Sequence, residues 1–141
     1  MQVLFISSVS IITREPSQSR KLFVDAIGLP LESPPGDDYA FTEKIGGARH
    51  FGVWPLAQAA QACFGTADWP TDRPVPQVSI EFDVASPDAV REAASELESR
   101  GYSLLHGPKT EPWGQTLARI QSTDGAIIGV SYTPPMHEQA K

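Results

Sequence analysis

The chain runs twice through one pattern of strand, helix and strands, and this repetition limits the folds open to it more than any other feature. In the first half, residues 5–13 set Phe5, Val9 and Ile11 among small polar residues with the period of a strand. Pro16 suits a first helical turn, Glu15 or Ser17 can cap its free amides, and Leu22, Phe23 and Ile27 recur at helical spacing before Gly28 stops the run. A Pro-Gly turn over 33–37 leads to strands at 39–45 and 49–54, with Gly46-Gly47 as the hairpin signal between them.

The pattern then starts again. Residues 78–84 alternate Val78, Ile80, Phe82 and Val84 against Ser79, Glu81 and Asp83, the cleanest strand period in the chain. Ser86 caps a helix that Pro87 opens, Val90, Ala93, Ala94 and Leu97 form its apolar stripe, and Gly101 ends it. Strands over 103–106, 116–122 and 126–132 follow, the last two joined by a Thr123-Asp124-Gly125 turn. Ser8 matches Ser79, Pro16 matches Pro87, Gly28 matches Gly101, and His-Phe-Gly-Val-Trp at 50–54 lines up with Ile-Ile-Gly-Val-Ser at 127–131. A duplicated βαβββ unit accounts for both halves.

At 141 residues the chain can bury one core, or two half-cores that share an interface. The modules are therefore read as one α+β domain: 1–66, a Pro-rich connector at 67–76, 77–134, and a polar, frayed tail at 135–141. Residues 55–64, rich in Ala and Gln, read as a short helix. The formal charge of −6 and the scattered Lys and Arg argue against nucleic acid, whose phosphates call for clustered cations. No window approaches the roughly 18 apolar residues of a membrane span, and the N-terminus lacks a secretory pattern, so a cytoplasmic protein with no membrane partner is expected. The single cysteine, Cys63, reads as a small buried apolar residue and excludes a multi-cysteine metal site.

Two stretches carry a family resemblance: 9–31, with its Ser-Arg-Lys-Leu-Phe helix start and Ile-Gly-Leu exit, and Glu111-Pro112-Trp113-Gly114-Gln115 through the Asp-Gly turn to Val130. In them the chain resembles the vicinal oxygen chelate superfamily of glyoxalase, extradiol dioxygenase, fosfomycin-resistance and bleomycin-resistance proteins, over nearly its whole length. The resemblance implies a cupped mixed sheet, paired in a homodimer. It also implies metal ligands at four cup-facing positions, which correspond here to Ser8, Gly52, Ser79 and Gly129. Glycine has no ligating side chain and serine is a poor ligand for zinc, iron or manganese, so no metal and no cofactor are expected. The nearest relatives implied are the metal-free bleomycin-resistance type.

Strand alternation then predicts the cup lining. His50 and Trp54 fall with Gly52, Glu81 with Ser79, Ser10 with Ser8, and Ile127 and Ser131 with Gly129, while Tyr39 and Phe41 share a face. The four substitutions should open volume at the centre for a flat ligand. Trp69 in the connector and Trp113, which by resemblance covers the ligand, complete the candidate site, although each has an ordinary packing role as an alternative. Which side of the 116–122 strand turns inward, with Leu117, Arg119 and Gln121 or away from them, stays open. His106 and His137 read as surface and tail residues.

The expected function is metal-independent binding and sequestration of a large aromatic antibiotic, bleomycin-, mitomycin- or enediyne-like, giving resistance. No catalytic residue is assigned. Two alternatives stand beside it: a lyase or isomerase with a displaced metal or acid–base site at His50 and Glu81, and a non-catalytic metabolite-binding module.

Overall fold

The computed structural model describes residues 1–139. Strand β1 (Phe5–Thr13) leads into α1 (Pro16–Arg20), opened by its proline, which continues as a π-helix (Lys21–Ala26). Short strands β2 (Ala40–Thr42) and β3 (Phe51–Pro55) follow, and β3 runs directly into α2 (Leu56–Phe64). Gly65 ends α2 in the left-handed region at φ 76°, where only glycine sits without strain. The second half is β4 (Val78–Asp83), α3 (Pro87–Ser99), β5 (Leu104–Thr110), β6 (Thr116–Gln121), β7 (Ile127–Tyr132) and α4 (Pro134–Gln139). Ser86 Oγ accepts the Ala89 amide at 3.1 Å, the cap expected at the head of α3.

All seven strands form one mixed sheet in the order β2-β3-β1-β4-β7-β6-β5. The leading strands of the two halves, β1 and β4, pair antiparallel at its centre, with Ser10 opposite Ser79 and Ser8 opposite Glu81. Outward from them β3 joins β1 and β7 joins β4, both parallel, so the halves are related about the central pair. The βαβββ plan is complete in the second half. In the first, the counterpart of β5 shrinks to a single bridge between Glu32 and Phe41. Pro30, Pro34 and Pro35 flank that bridge, and residues without an N–H cannot extend a ladder. The expected hairpin at Gly46-Gly47 forms with a longer loop, because β2 stops at Thr42 and β3 starts at Phe51.

The sheet is covered unequally on its two faces. On the outer face α3 buries Val90, Ala93 and Ala94 against Val84, Ala118 and Val130. The first helix sets Phe23 edge-on to Phe51, ring centroids 6.1 Å apart. Helix α2 packs on the inner face with Ile12, Trp54, Leu105 and Ile127, together with Cys63 and Trp69. Its Ala59 and Ala60 are fully buried, and side chains that small let the helix backbone settle close to the sheet. This helix fills one end of the trough and leaves the other open.

The polar tail expected from 135 is in part helix α4. Met136 is buried and the His137 ring Nε2 lies 2.8 Å from Asp83 Oδ2, which ties the segment down. Residues 140–141 of that tail lie outside the described residues. Among the described residues, no helix is long and apolar enough to cross a membrane.

Candidate functional site

The open end of the trough is a cavity of about 510 Å³. It gathers side chains from the two central strands, from the 34–50 segment, from the Trp113 loop and β6, and from α4. Ser8, Ser10, Tyr39, Phe41, His50, Trp54, Ser79 and Glu81 line it, on the face where alternation places them, and Trp113, expected there by resemblance, lines it too. Trp69 does not. It is buried beside Phe64, donates its indole N–H to the Pro74 carbonyl at 2.9 Å, and borders a separate groove of about 880 Å³ along the connector. Gly52, Gly129 and Ser131 lie beneath the cavity surface. Ser131 is fully buried, its hydroxyl 2.5 Å from Asp83 Oδ1.

The two glycines are covered by neighbouring side chains, which corrects the expectation of added volume at the centre. A Cβ on Gly52 would stand 2.8 Å from the Tyr39 hydroxyl oxygen, 2.9 Å from Tyr39 Cε1 and 3.1 Å from Ser10 Oγ. A Cβ on Gly129 would stand 3.0 Å from Glu81 Cγ. The room released by each missing side chain is thus occupied by a phenol on one side and a carboxylate stem on the other. These residues do not fit a metal ion. Among the described residues, no group of three His, Cys, Asp or Glu side chains could hold one. His50 and Glu81 both line the cavity and are held in different hydrogen-bond networks.

The first network is an aromatic wall. Tyr39, Phe41 and His50 stack with centroid separations of 5.5 Å for Tyr39–Phe41 and 5.1 Å for Phe41–His50, their planes within 15°. The Tyr39 hydroxyl hydrogen-bonds His50 Nε2, and His50 Nδ1 faces Glu43 at 3.4 Å. Burial first, and then the charges of Glu81 and Glu43, push the Tyr39 phenol well above its ordinary value. It therefore stays a neutral hydroxyl beside the ring nitrogen, and Nδ1 on the far side of the ring faces the Glu43 carboxylate.

The second network centres on Arg119, which is 2% exposed and settles the inward face of β6. Its Nη2 lies 3.6 Å from Glu81 Oε2 and its Nη1 lies 3.7 Å from Glu111 Oε1, with the guanidinium carbon 5.4 Å from the centre of the Trp54 ring. Arg119 Nη1 also donates to His106 Nε2 at 3.0 Å, while the Nδ1–H of that ring donates to the Gly107 carbonyl at 2.7 Å. Burial, with the cations Arg119 and Lys109 nearby, pushes the His106 imidazole down to about 4. His106 is consequently a neutral, half-buried acceptor for Arg119. Gln115 carries the network to the rim: its amide donates to Glu81 Oε1 at 2.9 Å and its carbonyl accepts from the Trp113 indole at 2.9 Å. Trp113 itself is 64% exposed, which rules out a core-plugging role.

Asp83 forms a third network under the cup. It is wholly buried and accepts from the Ser131 hydroxyl, the Thr133 amide at 2.7 Å, the Thr133 hydroxyl at 3.0 Å and His137, holding α4 against the cavity wall. His137 is accordingly an internal latch, its ring 5.1 Å from Phe5 and 4.4 Å from Tyr132. Gln115, Gln58 and Met136 also line the cavity and were missed from sequence. For Gln115 and Arg119 a signal existed, since polar residues break into the apolar 116–122 strand and its approach. For Met136 none did.

No protein-family model matches the chain, and no curated protein matches it. Solved structures do. A glyoxalase/bleomycin resistance protein/dioxygenase superfamily member from Vibrio splendidus 12B01 is 14% identical, with a TM-score of 0.60 over 92% of this chain and 99% of its own. Methylmalonyl-CoA epimerase from Mycobacterium tuberculosis is 16% identical, with a TM-score of 0.59 over 96% and 93%. A Mn(II)-bound glyoxalase from Novosphingobium aromaticivorans, 17% identical, gives a TM-score of 0.60, and 92% of this chain corresponds to 38% of that one. The shared architecture establishes the glyoxalase/bleomycin-resistance fold.

Proposed function

We propose that this protein is a metal-independent member of the vicinal oxygen chelate superfamily that binds a planar aromatic natural product in its cup and confers resistance by sequestering it. The observation that supports this reading best is the occupation of the two glycine positions by Tyr39 and Glu81, which turns the place of a metal site into a wall. Around it stand the flat faces of Phe41, His50 and Trp54, with Trp113 exposed at the rim to fold over a bound ring. Each well-placed aromatic pair contributes about 0.5–1.5 kcal/mol beyond burial. A cavity of about 510 Å³ is within the range of small-molecule sites and admits a fused-ring system whole. A bleomycin-sized glycopeptide would seat only its planar end, so mitomycin-like quinones and enediyne-like polycycles are the better matches. Val3, Leu4 and Ile6 at the start of β1 and Leu22 and Ile27 on the first helix stay exposed, which favours pairing of two chains.

The test combines metal content with ligand fate. Protein purified from metal-supplemented cells should contain no stoichiometric divalent metal, should show tryptophan quenching with mitomycin C or an enediyne chromophore, and should return the compound unaltered. Stoichiometric metal refutes the reading. Binding without protection of sensitive cells would move the protein to metabolite binding.

A second reading is favoured by the Tyr39–His50–Glu43 chain, an arrangement suited to moving a proton at the cup wall. In that case the protein is a metal-free lyase or isomerase, and the compound is returned chemically altered, with turnover lost in H50Q.

A further inference from the structure

Arg119 is a charged group set deep in the cup, and its hydrogen bonding is incomplete. The side chain is 2% exposed, yet Nε has no hydrogen-bond partner among the described residues. The guanidinium is a rigid plane in which Nε and Nη2 share one edge, while Nη1 points away from it. Nη1 takes the rear of the site, with His106 at 3.0 Å and Glu111 at 3.7 Å. Nη2 faces Glu81, the carboxylate that lines the cavity, at 3.6 Å, beyond hydrogen-bond reach. Arg119 lines the cavity, and its Nε–Nη2 edge lies on the Glu81 side with donors that no acceptor among the described residues takes within hydrogen-bond distance. A buried donor left without an acceptor carries an uncompensated desolvation cost, so a ligand that brings an acceptor to this edge recovers it.

Charge decides what kind of acceptor it is. Arg119 sits between two carboxylates, Glu81 and Glu111, and Lys109 pairs with Glu111 at 3.4 Å, so the cluster is formally neutral and the guanidinium on the cavity side is already matched by Glu81. A full anion would have to enter beside the Glu81 carboxylate, whereas a neutral carbonyl oxygen takes the two N–H groups without that repulsion. Geometry adds the rest. The guanidinium lies over Trp54, centroid distance 5.4 Å, so an acceptor in the plane of a ring stacked near Trp54 meets the donor edge directly. Gly129, opposite Arg119 in the β6–β7 register, projects no side chain between them.

We infer that the ligand is an uncharged planar compound with a carbonyl at its ring edge, an aryl ketone or quinone, and that the Nε–Nη2 edge of Arg119 receives its oxygen. This rests on the proposed capture of a planar aromatic, and it specifies the polar group that the aromatic walls leave undefined. Gln115 then holds Glu81 Oε1 through its 2.9 Å bond and leaves Oε2 3.6 Å from Nη2, short of a hydrogen bond, which makes Gln115 a positioning residue for ligand selection.

Three probes on one ring system separate the possibilities: 2-acetonaphthone, 2-ethylnaphthalene and 2-naphthoate, titrated by calorimetry into wild type, R119K and E81Q. The ketone should bind wild type at least tenfold more tightly than the hydrocarbon, and naphthoate should bind more weakly than the ketone. R119K keeps the charge but loses the planar edge, and should bring ketone and hydrocarbon to within about twofold. E81Q should improve naphthoate binding several-fold. The ¹⁵N–¹H resonance of Arg119 Nε should shift with the ketone and not with the hydrocarbon, a readout that holds even if R119K folds poorly. Equal binding of ketone and hydrocarbon, or an unmoved Nε resonance, overturns the inference while leaving aromatic capture standing. Failure of all three probes to bind overturns both.

Discussion

Substituting Gly52 by alanine probes the feature on which the site is built, because the backbone at Gly52 is not in a glycine-only conformation and the added methyl acts by volume alone. Its Cβ would meet the Tyr39 hydroxyl at 2.8 Å, Tyr39 Cε1 at 2.9 Å and Ser10 Oγ at 3.1 Å, distances at which something must move. The phenol is the free end of its side chain, so the ring should swing toward the cavity and leave His50. Overpacking of this kind costs about 1–3 kcal/mol, and loss of the phenol–imidazole bond adds about 0.5–1.5 kcal/mol. A total near 2–3 kcal/mol lowers a urea midpoint by about 1 M or slightly more at an m-value near 2 kcal/mol/M. The assay is urea unfolding followed by tryptophan fluorescence for wild type, G52A, Y39L and the double variant. If the argument holds, G52A is costly in wild type and nearly neutral in Y39L, with a coupling energy of about 1.5 kcal/mol or more. An equal cost in both backgrounds, or a cost below about 0.5 kcal/mol in wild type, would refute it.

Asp83→Ala strands the Ser131 hydroxyl, the Thr133 amide and hydroxyl and the His137 ring without their common acceptor; it should cost about 2–4 kcal/mol, and hydrogen exchange should show α4 losing protection before the rest of the sheet. The His106 imidazole, held down to about 4 in the fold, gives a pH signature. Since the unfolded chain takes up that proton first, below an ordinary value near 6.5, the stability due to neutral His106 is whole above that pH, shrinks as pH falls, and is gone below about 4. Partial exposure of the ring limits the span to about 1–2 kcal/mol, and H106Q should flatten urea midpoints across pH 4–6.5 relative to wild type. A profile unchanged by H106Q would remove His106 as its source.

Much of this protein is written locally in its sequence. The alternation of Val78 to Val84, the Ser86-Pro87 helix start, the Gly65 helix end and the parity that brings Ser8, Ser10, His50, Trp54 and Glu81 to one cavity all follow from periods and turn chemistry that depend on near neighbours.

What the sequence left open depended on contacts between distant segments. Nothing near residues 56–64 says that α2 lies inside the trough, and that placement is what removes Trp69 from the site. Gly52 and Gly129 read as space until the side chains of Tyr39 and Glu81, from other strands, are seen to fill it. Arg119, His106 and His137 carry ordinary surface chemistry in one dimension. Arg119 is buried, and His106 and His137 half-buried, because Glu81 and Glu111 meet the first, Arg119 the second and Asp83 the third, where pairing offsets the cost of taking charge and hydrogen-bonding groups out of water. Local periodicity decides which way a side chain points, but the partner it finds there is set by the tertiary fold.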